Sequence, residues 1–191
     1  MAGNASDVAL ASNAMVLLGG SSIASFEEAS TESQIASNLF EHSYKSILSG
    51  HRWRFATKQK KLARLTLVPE AEFSYMFQMP SDLLYLIRII DTQNYEVYGD
   101  KLYTNSLEAT IEYVYDVKSD LVPSYWAKMF EFYLASQFAI PLTGDIDKAS
   151  FYGQEYQKAL IKAKFLDSSS RPGQTFVNNR YTDVRRSSGR Y

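Results

Sequence analysis

The sequence predicts an α+β protein: a mainly helical bundle with an inserted antiparallel β region and an extended C-terminal tail. Three observations predict it. Apolar residues recur at three- and four-residue spacing in four segments, two toward each end of the chain. Between them, over residues 51–118, the apolar positions alternate instead. From Ser168 onward neither period continues, and Ser168-Ser169-Ser170-Arg171-Pro172-Gly173 is linker chemistry. The expected organisation is residues 1–50 and 119–167 as the helical bundle, 51–118 as the β insertion and 168–191 as a tail.

Ser6 or Asp7 suits the cap of a first helix running to about Leu18, where Gly19-Gly20 stops it. Ser21 to Ala29 reads as a polar loop. Thr31 with Gln34 matches a capping box, which opens a second helix ending at Gly50. Ala36, Phe40, Tyr44, Ile47 and Leu48 form its apolar stripe. In the middle region, Trp53 with Phe55, Leu65 with Leu67, and Tyr75, Phe77 and Met79 alternate as strands do. Pro80-Ser81-Asp82 marks a turn, and Leu86 to Ile90 reads as a buried strand. Tyr95–Tyr98 and Lys101–Thr104 around Gly99-Asp100 form a hairpin, and Thr110 to Tyr115 alternates again. One small antiparallel sheet is expected there. Pro123 suits the first turn of a third helix, over Ser124 to about Ile140, that is apolar nearly all round. Pro141 and Gly144 are expected to break it. Asp145 and Asp147 open a fourth helix with the stripe Ala149, Tyr152, Tyr156, Ala159, Leu160 and Ala163, opposite a wet face of Glu155, Lys158 and Lys162.

Composition narrows the function classes. At 191 residues and 46% hydrophobic, the chain can bury a core of one domain. It has no cysteine, so disulfides and thiolate metal sites are excluded. The N-terminal residues have neither the basic start nor the apolar run of a signal peptide, and no stretch is apolar enough to predict a membrane span. The net charge of −1 hides an asymmetry. Residues 168–191 hold Arg171, Arg180, Arg185, Arg186 and Arg190 against Asp183 alone, a local charge of +4 that leaves −5 on the remainder. The 14 tyrosines fit contact surfaces, since tyrosine joins apolar area to a polar tip.

The sequence carries no recognisable catalytic or cofactor signature. His42 and His51 are the two histidines, and each reads as a surface or satisfied side chain rather than a ligand. There is no Gly-x-Ser-x-Gly elbow and no phosphate-binding Gly-x-x-x-x-Gly-Lys-Ser/Thr loop; Gly19-Gly20 reads as a helix stop. Glu27-Glu28 and Asp145 with Asp147 are neighbours in a loop and at a helix start, where solvation and capping explain them better than acid–base work. Lys58, Lys60, Lys61 and Arg64 stand near Trp53 and Phe55, a mixture that nucleic-acid binders use, but no nucleic-acid module fits and a solvated strand face explains it better. No enzymatic activity, metal or cofactor is expected.

The basic tail is the most informative segment, and magnitudes constrain it. Ordering residues 168–191 costs on the order of 24–48 kcal/mol of backbone entropy. Burying Phe176, Val177, Tyr181, Val184 and Tyr191 returns about 7–15 kcal/mol. Docking of the whole tail therefore needs main-chain hydrogen bonds, Arg–carboxylate pairs or many copies acting together.

Several strings recur in order along nearly the whole chain: Ala11-Ser12-Asn13-Ala14-Met15-Val16-Leu17-Leu18-Gly19, Ser33-Gln34-Ile35-Ala36-Ser37-Asn38-Leu39, Trp53-Arg54-Phe55-Ala56, Tyr75 to Asp82 with Met79-Pro80-Ser81-Asp82, Tyr95-Glu96-Val97, Pro141-Leu142-Thr143-Gly144 and the closing basic tail. This order resembles the tail tubular protein A family of short-tailed bacteriophages, the head-to-tail adaptors. The resemblance implies a structural virion protein. Such adaptors form a twelve-membered ring beneath the portal protein, join the head to the tail nozzle and let the genome pass through. Tail fibres or spikes attach near that junction. The implied location is the virion neck, after assembly in the host bacterial cytoplasm. The C-terminal segment of related adaptors docks on the portal, which carries over here to Arg171, Phe176, Arg180, Tyr181, Arg185, Arg186, Arg190 and Tyr191. A closed ring needs unlike faces that meet, and Trp126, Phe130 and Tyr133 on the apolar third helix are the expected ring contacts. DNA would pass the lumen without sequence-specific binding, and no membrane is involved. Two other readings stay open on residues alone: a nucleic-acid binder using the basic tail, and a hydrolase using distant carboxylates.

Overall fold

A computed structural model describes residues 5–67, 69, 72–91 and 94–169. The fold is mixed α+β, with four helices and two small antiparallel sheets. Helix α1 spans Ala5–Leu17 and α2 spans Thr31–Ser49; six strands follow, and α3 (Ser124–Thr143) and α4 (Ile146–Ser169) close the described chain. The strands are β1 (Thr57–Lys61), β2 (Tyr75–Gln78), β3 (Leu83–Ile89), β4 (Tyr95–Tyr98), β5 (Lys101–Thr104) and β6 (Thr110–Tyr115).

The helix ends follow local chemistry. Gly19, at φ +83°, takes the left-handed turn after α1, a conformation that costs a residue without Cβ little. Asp7 lies inside the first turn of α1 rather than ahead of it. The cap of α2 is Ser30, whose hydroxyl accepts from the Ser33 amide at 3.2 Å; the expected Thr31–Gln34 capping box does not form, because Ser30 takes the extended backbone that a cap requires and the Ser33 hydroxyl donates to Ser25 instead. Pro141 does not break α3. It sits in the last turn, where the Thr143 hydroxyl donates to the Ala139 carbonyl at 2.7 Å and the Gly144 amide donates to Ile140 at 2.9 Å, so the terminal carbonyls are satisfied around it. Asp145 caps α4 by accepting from the Lys148 amide at 3.1 Å, and α4 runs two residues past Asp167.

The β region differs from the expected single sheet. One sheet has the order β1-β6-β3 and the other β2-β5-β4. The β4–β5 hairpin pairs Tyr98 with Lys101 across Gly99-Asp100, as the sequence predicts. Strand β6 explains why two sheets form. Ile111 and Tyr113 point into a core with Phe77, Leu102 and Ile89, whereas Val114 points into the helical core. A strand buried on both sides needs a second layer on each face. Trp53 and Phe55 are not in a strand. The turn bonds from Ala56 to Trp53 and from Thr57 to Arg54 fold that segment back, and the Trp53 indole is fully buried among the helices, donating to the Ile47 carbonyl at 3.2 Å. The helical core thus takes Trp53, Phe55 and Ala56 as well, and β1 begins at Thr57. Leu65 and Leu67 also lie outside any strand; a single bridge, Arg64 to Phe77, remains there, and Leu67 is exposed.

In the helical part, α3 packs against α1, α2 and α4. Its stacked Trp126 and Phe130 rings meet Tyr44 and Phe40 of α2 edge-on at 5.3–5.6 Å, a geometry that aromatic quadrupoles favour.

Candidate docking surfaces

Three features of the surface bear on partners: an exposed apolar stripe on α4, the anchored end of that helix, and an acidic groove between the helices and the sheet.

Helix α3 first requires a correction. Trp126 and Phe130 are fully buried in the chain's own core, so they cannot form a ring contact. An all-round apolar helix here reflects three helical neighbours within one chain. Tyr133 is half-buried, packed 5.1 Å from the Tyr156 ring of α4. Arg171, Phe176, Arg180, Tyr181, Arg185, Arg186, Arg190 and Tyr191 lie outside the described residues.

The exposed apolar surface lies elsewhere. Phe151, Ile161 and Phe165 on α4 are 56%, 72% and 67% exposed. At 100° per residue they fall within about 80° of one another, interleaved with the exposed Gln154 and Lys158, on the face opposite Ala163 and the inward stripe. Reading the outer face of α4 from Glu155, Lys158 and Lys162 alone missed them. The available signal was the four-residue spacing of Ile161 and Phe165, which the inward stripe did not absorb.

The end of α4 is fixed by Asp167. Its carboxylate is buried and accepts from the Arg54 amide at 3.1 Å and from the Tyr125 hydroxyl at 3.1 Å. Burial, and then the Asp167 charge, pushes the Tyr125 hydroxyl up to about 12. The last turn of α4 is therefore held against both the α2–β1 connection and the first turn of α3.

The acidic groove, of about 1020 Å³, opens where α1 and α2 approach the segment between β6 and α3. Asp7, Glu41, Asp82, Asp116 and Asp120 line it, against Lys45 and Lys118. Lys45 holds Glu41 at 2.6 Å and stands 3.8 Å from Asp116, while Lys58 holds Asp82 at 2.5 Å. Asp120 forms no ion pair among the described residues. Tyr44 forms part of the wall and donates to the Val117 carbonyl at 2.9 Å. Its hydroxyl is pushed well above the usual tyrosine range, first by burial and then by the charges of Asp7, Asp116 and Asp120. Ser119, only 5% exposed, also lines the groove, and its hydroxyl has no hydrogen-bond partner among the described residues.

The other singled-out residues are engaged locally. Lys61 pairs with Glu108, Lys58 also stands 4.0 Å over the Tyr115 ring, and the Arg64 guanidinium covers the Tyr75 ring at 5.3 Å. Much of the basic run is thus committed to the sheet itself. Glu28 accepts from the Ala24 amide at 3.1 Å. His51 packs edge-on against Trp53 at 4.7 Å; burial, and then Lys164, lowers its pKa. His42 is exposed on α2. Against known proteins, no family model matches the chain, and no curated protein is significantly similar to it.

Proposed function

We propose that this chain is a structural head-to-tail adaptor of a phage virion. On this reading twelve copies close into a ring between the portal protein and the tail nozzle, with tail fibres or spikes near the junction, and the genome passes through the lumen. The helices act as a bundle that carries the ring contacts, and the chain beyond Ser169, where α4 ends, is the docking tail. The observation that carries the reading is the apolar stripe of Phe151, Ile161 and Phe165 on the helix that leads into the basic segment. Large apolar side chains aligned on one helix face favour burial against another protein. Helix α4 thereby replaces Trp126 and Phe130 as the proposed ring contact, with the half-buried Tyr133 behind it. The order of sequence strings supports the adaptor identity, and the +4 tail supports docking on a carboxylate-bearing partner. Repeated twelvefold, even a weak tail contact gives strong avidity toward a portal of matching symmetry. The acidic remainder of the chain repels DNA phosphates and favours free passage of the genome.

The test is reconstitution. The full chain mixed with purified portal should give, by electron microscopy, portal rings bearing an added annular density, and Ile161→Glu with Phe165→Glu should abolish that density while the protein stays folded. Portals that remain bare with the wild-type chain would sink the adaptor reading. Rings that form unchanged with the double variant would remove α4 as the contact.

A further inference from the structure

We propose that the acidic groove is the intramolecular dock of this chain's own arginine-rich C-terminal segment, so that the free protein holds its basic arm against its own body. Four observations carry this, and none depends on the adaptor reading.

The first is charge. Five carboxylates line the groove against Lys45 and Lys118, with Lys58 on Asp82, which leaves an excess of two negative charges (five minus three). The chain beyond Ser169 carries Arg171, Arg180, Arg185, Arg186 and Arg190 against Asp183 alone. The arginine fork matches a carboxylate with two parallel N–H bonds, and Asp116 and Asp120 present their carboxylates at the exposed side of the groove.

The second is an unused hydrogen-bonding group. Ser119 is buried in the groove wall with no partner for its hydroxyl among the described residues. A buried hydroxyl without a partner is costly. An arriving guanidinium supplies the donor it lacks.

The third is reach. Asp167 ties the end of α4 to Tyr125 at 3.1 Å, in the first turn of α3. The neighbouring Trp126 ring lies 5.3 Å from Tyr44, which is a wall of the groove. The anchor and the groove are therefore separated by about the width of α3, roughly 10–12 Å. The chain passes round the packed helix rather than through it, and residues 170–180 supply about 36–40 Å of extended chain for that detour at 3.3–3.6 Å each. Residues 170–191 begin at the anchor, so Arg180 and the arginines beyond it come within range.

The fourth is the effect of the tether. A short linker gives an attached segment an effective concentration on the order of millimolar. An intrinsic dissociation constant of about 1 mM, too weak to hold a free peptide, then keeps the segment docked about half the time. The contact is between charges, so it is strong at low ionic strength and screened by salt. Any partner that offers the arginines a better carboxylate surface competes with the groove for the same side chains.

The chain has no cysteine, which makes the test direct. A nitroxide on Ser188→Cys of the full chain should broaden nearby amide signals in an NMR spectrum. At low salt, signals of residues 41–45 and 116–120 should lose most of their intensity. They should recover in about 1 M salt, where the Debye length is about 3 Å, and in the Asp116→Asn/Asp120→Asn variant at low salt. A mixture of isotope-labelled chain with spin-labelled, isotope-free chain should leave them sharp, since the dock is within one molecule. Groove signals that stay sharp at low salt would overturn the proposal, as would broadening that survives the double neutralisation. Equal broadening in the mixture would also overturn it, in favour of docking between copies. No portal is present in this experiment, so its failure leaves the adaptor reading standing, and the reverse holds for the reconstitution.

Discussion

Removing the Asp167 carboxylate tests whether the end of α4 is anchored as described. In Asp167→Ala the Arg54 amide and the Tyr125 hydroxyl both lose a charged acceptor. A hydrogen bond to a charged group contributes about 1.5–3 kcal/mol. Both donors belong to residues with some solvent access, so water replaces part of what is lost. The expected net destabilisation is about 2–3 kcal/mol. For a chain of this size that lowers Tm by about 4–12 °C. Thermal unfolding followed by circular dichroism measures the shift. Hydrogen exchange should accelerate first in the last two turns of α4, around Ala163. A residue-specific readout accompanies it: the Tyr125 hydroxyl, pushed up to about 12, should fall in the variant, and Tyr125→Phe identifies its step in a spectrophotometric titration. A loss below about 0.5 kcal/mol, the range of ordinary surface substitutions, together with an unmoved Tyr125 titration, would refute the anchor.

Three further predictions follow from the same packing. Glu112 is buried on β6 between Arg52 and Arg88; burial opposes its ionisation, but the two guanidiniums outweigh burial and hold its carboxyl below the usual range. A depressed carboxylate contributes stability above its unfolded value, near 4.5, and that stability is lost as pH falls through the folded value. Both arginines are more than half exposed, so solvent discounts the pair, and Glu112→Gln should cost about 1–2 kcal/mol at pH 7 and flatten the acid limb of a stability–pH curve. His51 adds a second window: its lowered pKa favours the neutral ring in the fold, so stability should decline as pH drops below about 6.5, a slope that His51→Asn removes. Phe130→Ala and Ile161→Glu separate core from surface: the first should cost about 3–5 kcal/mol, the second under about 0.5 kcal/mol, both by chemical denaturation.

Much of this fold was legible because it is local. The four helical segments, the Gly19 and Gly144 stops and the β4–β5 hairpin all rest on short-range periodicity and turn chemistry. The failures share a cause. Alternation at Trp53 and Phe55 looks like a strand, but a fully buried indole is claimed by the helical core, and that contact lies beyond any window of neighbouring residues. Pro141 looks like a terminator, but a proline in the last turn forfeits only its own bond to the i−4 carbonyl, and the Thr143 and Gly144 bonds still close the helix on Ala139 and Ile140.

The candidate surfaces divide the same way. Composition and order along the chain were enough to mark the basic C-terminal segment, the absence of cysteine and the apolar character of the third helix. Which apolar residues remain outside was decided only when α3 packed against three helices, because that packing consumed Trp126 and Phe130 and left Phe151, Ile161 and Phe165 uncovered. The acidic groove is likewise a product of tertiary structure. Asp7, Glu41 and Asp120 are far apart in sequence, and no local window joins them. Only the approach of α1 and α2 to the segment before α3 adds their charges into one field, since Coulomb interaction depends on distance through space and not along the chain.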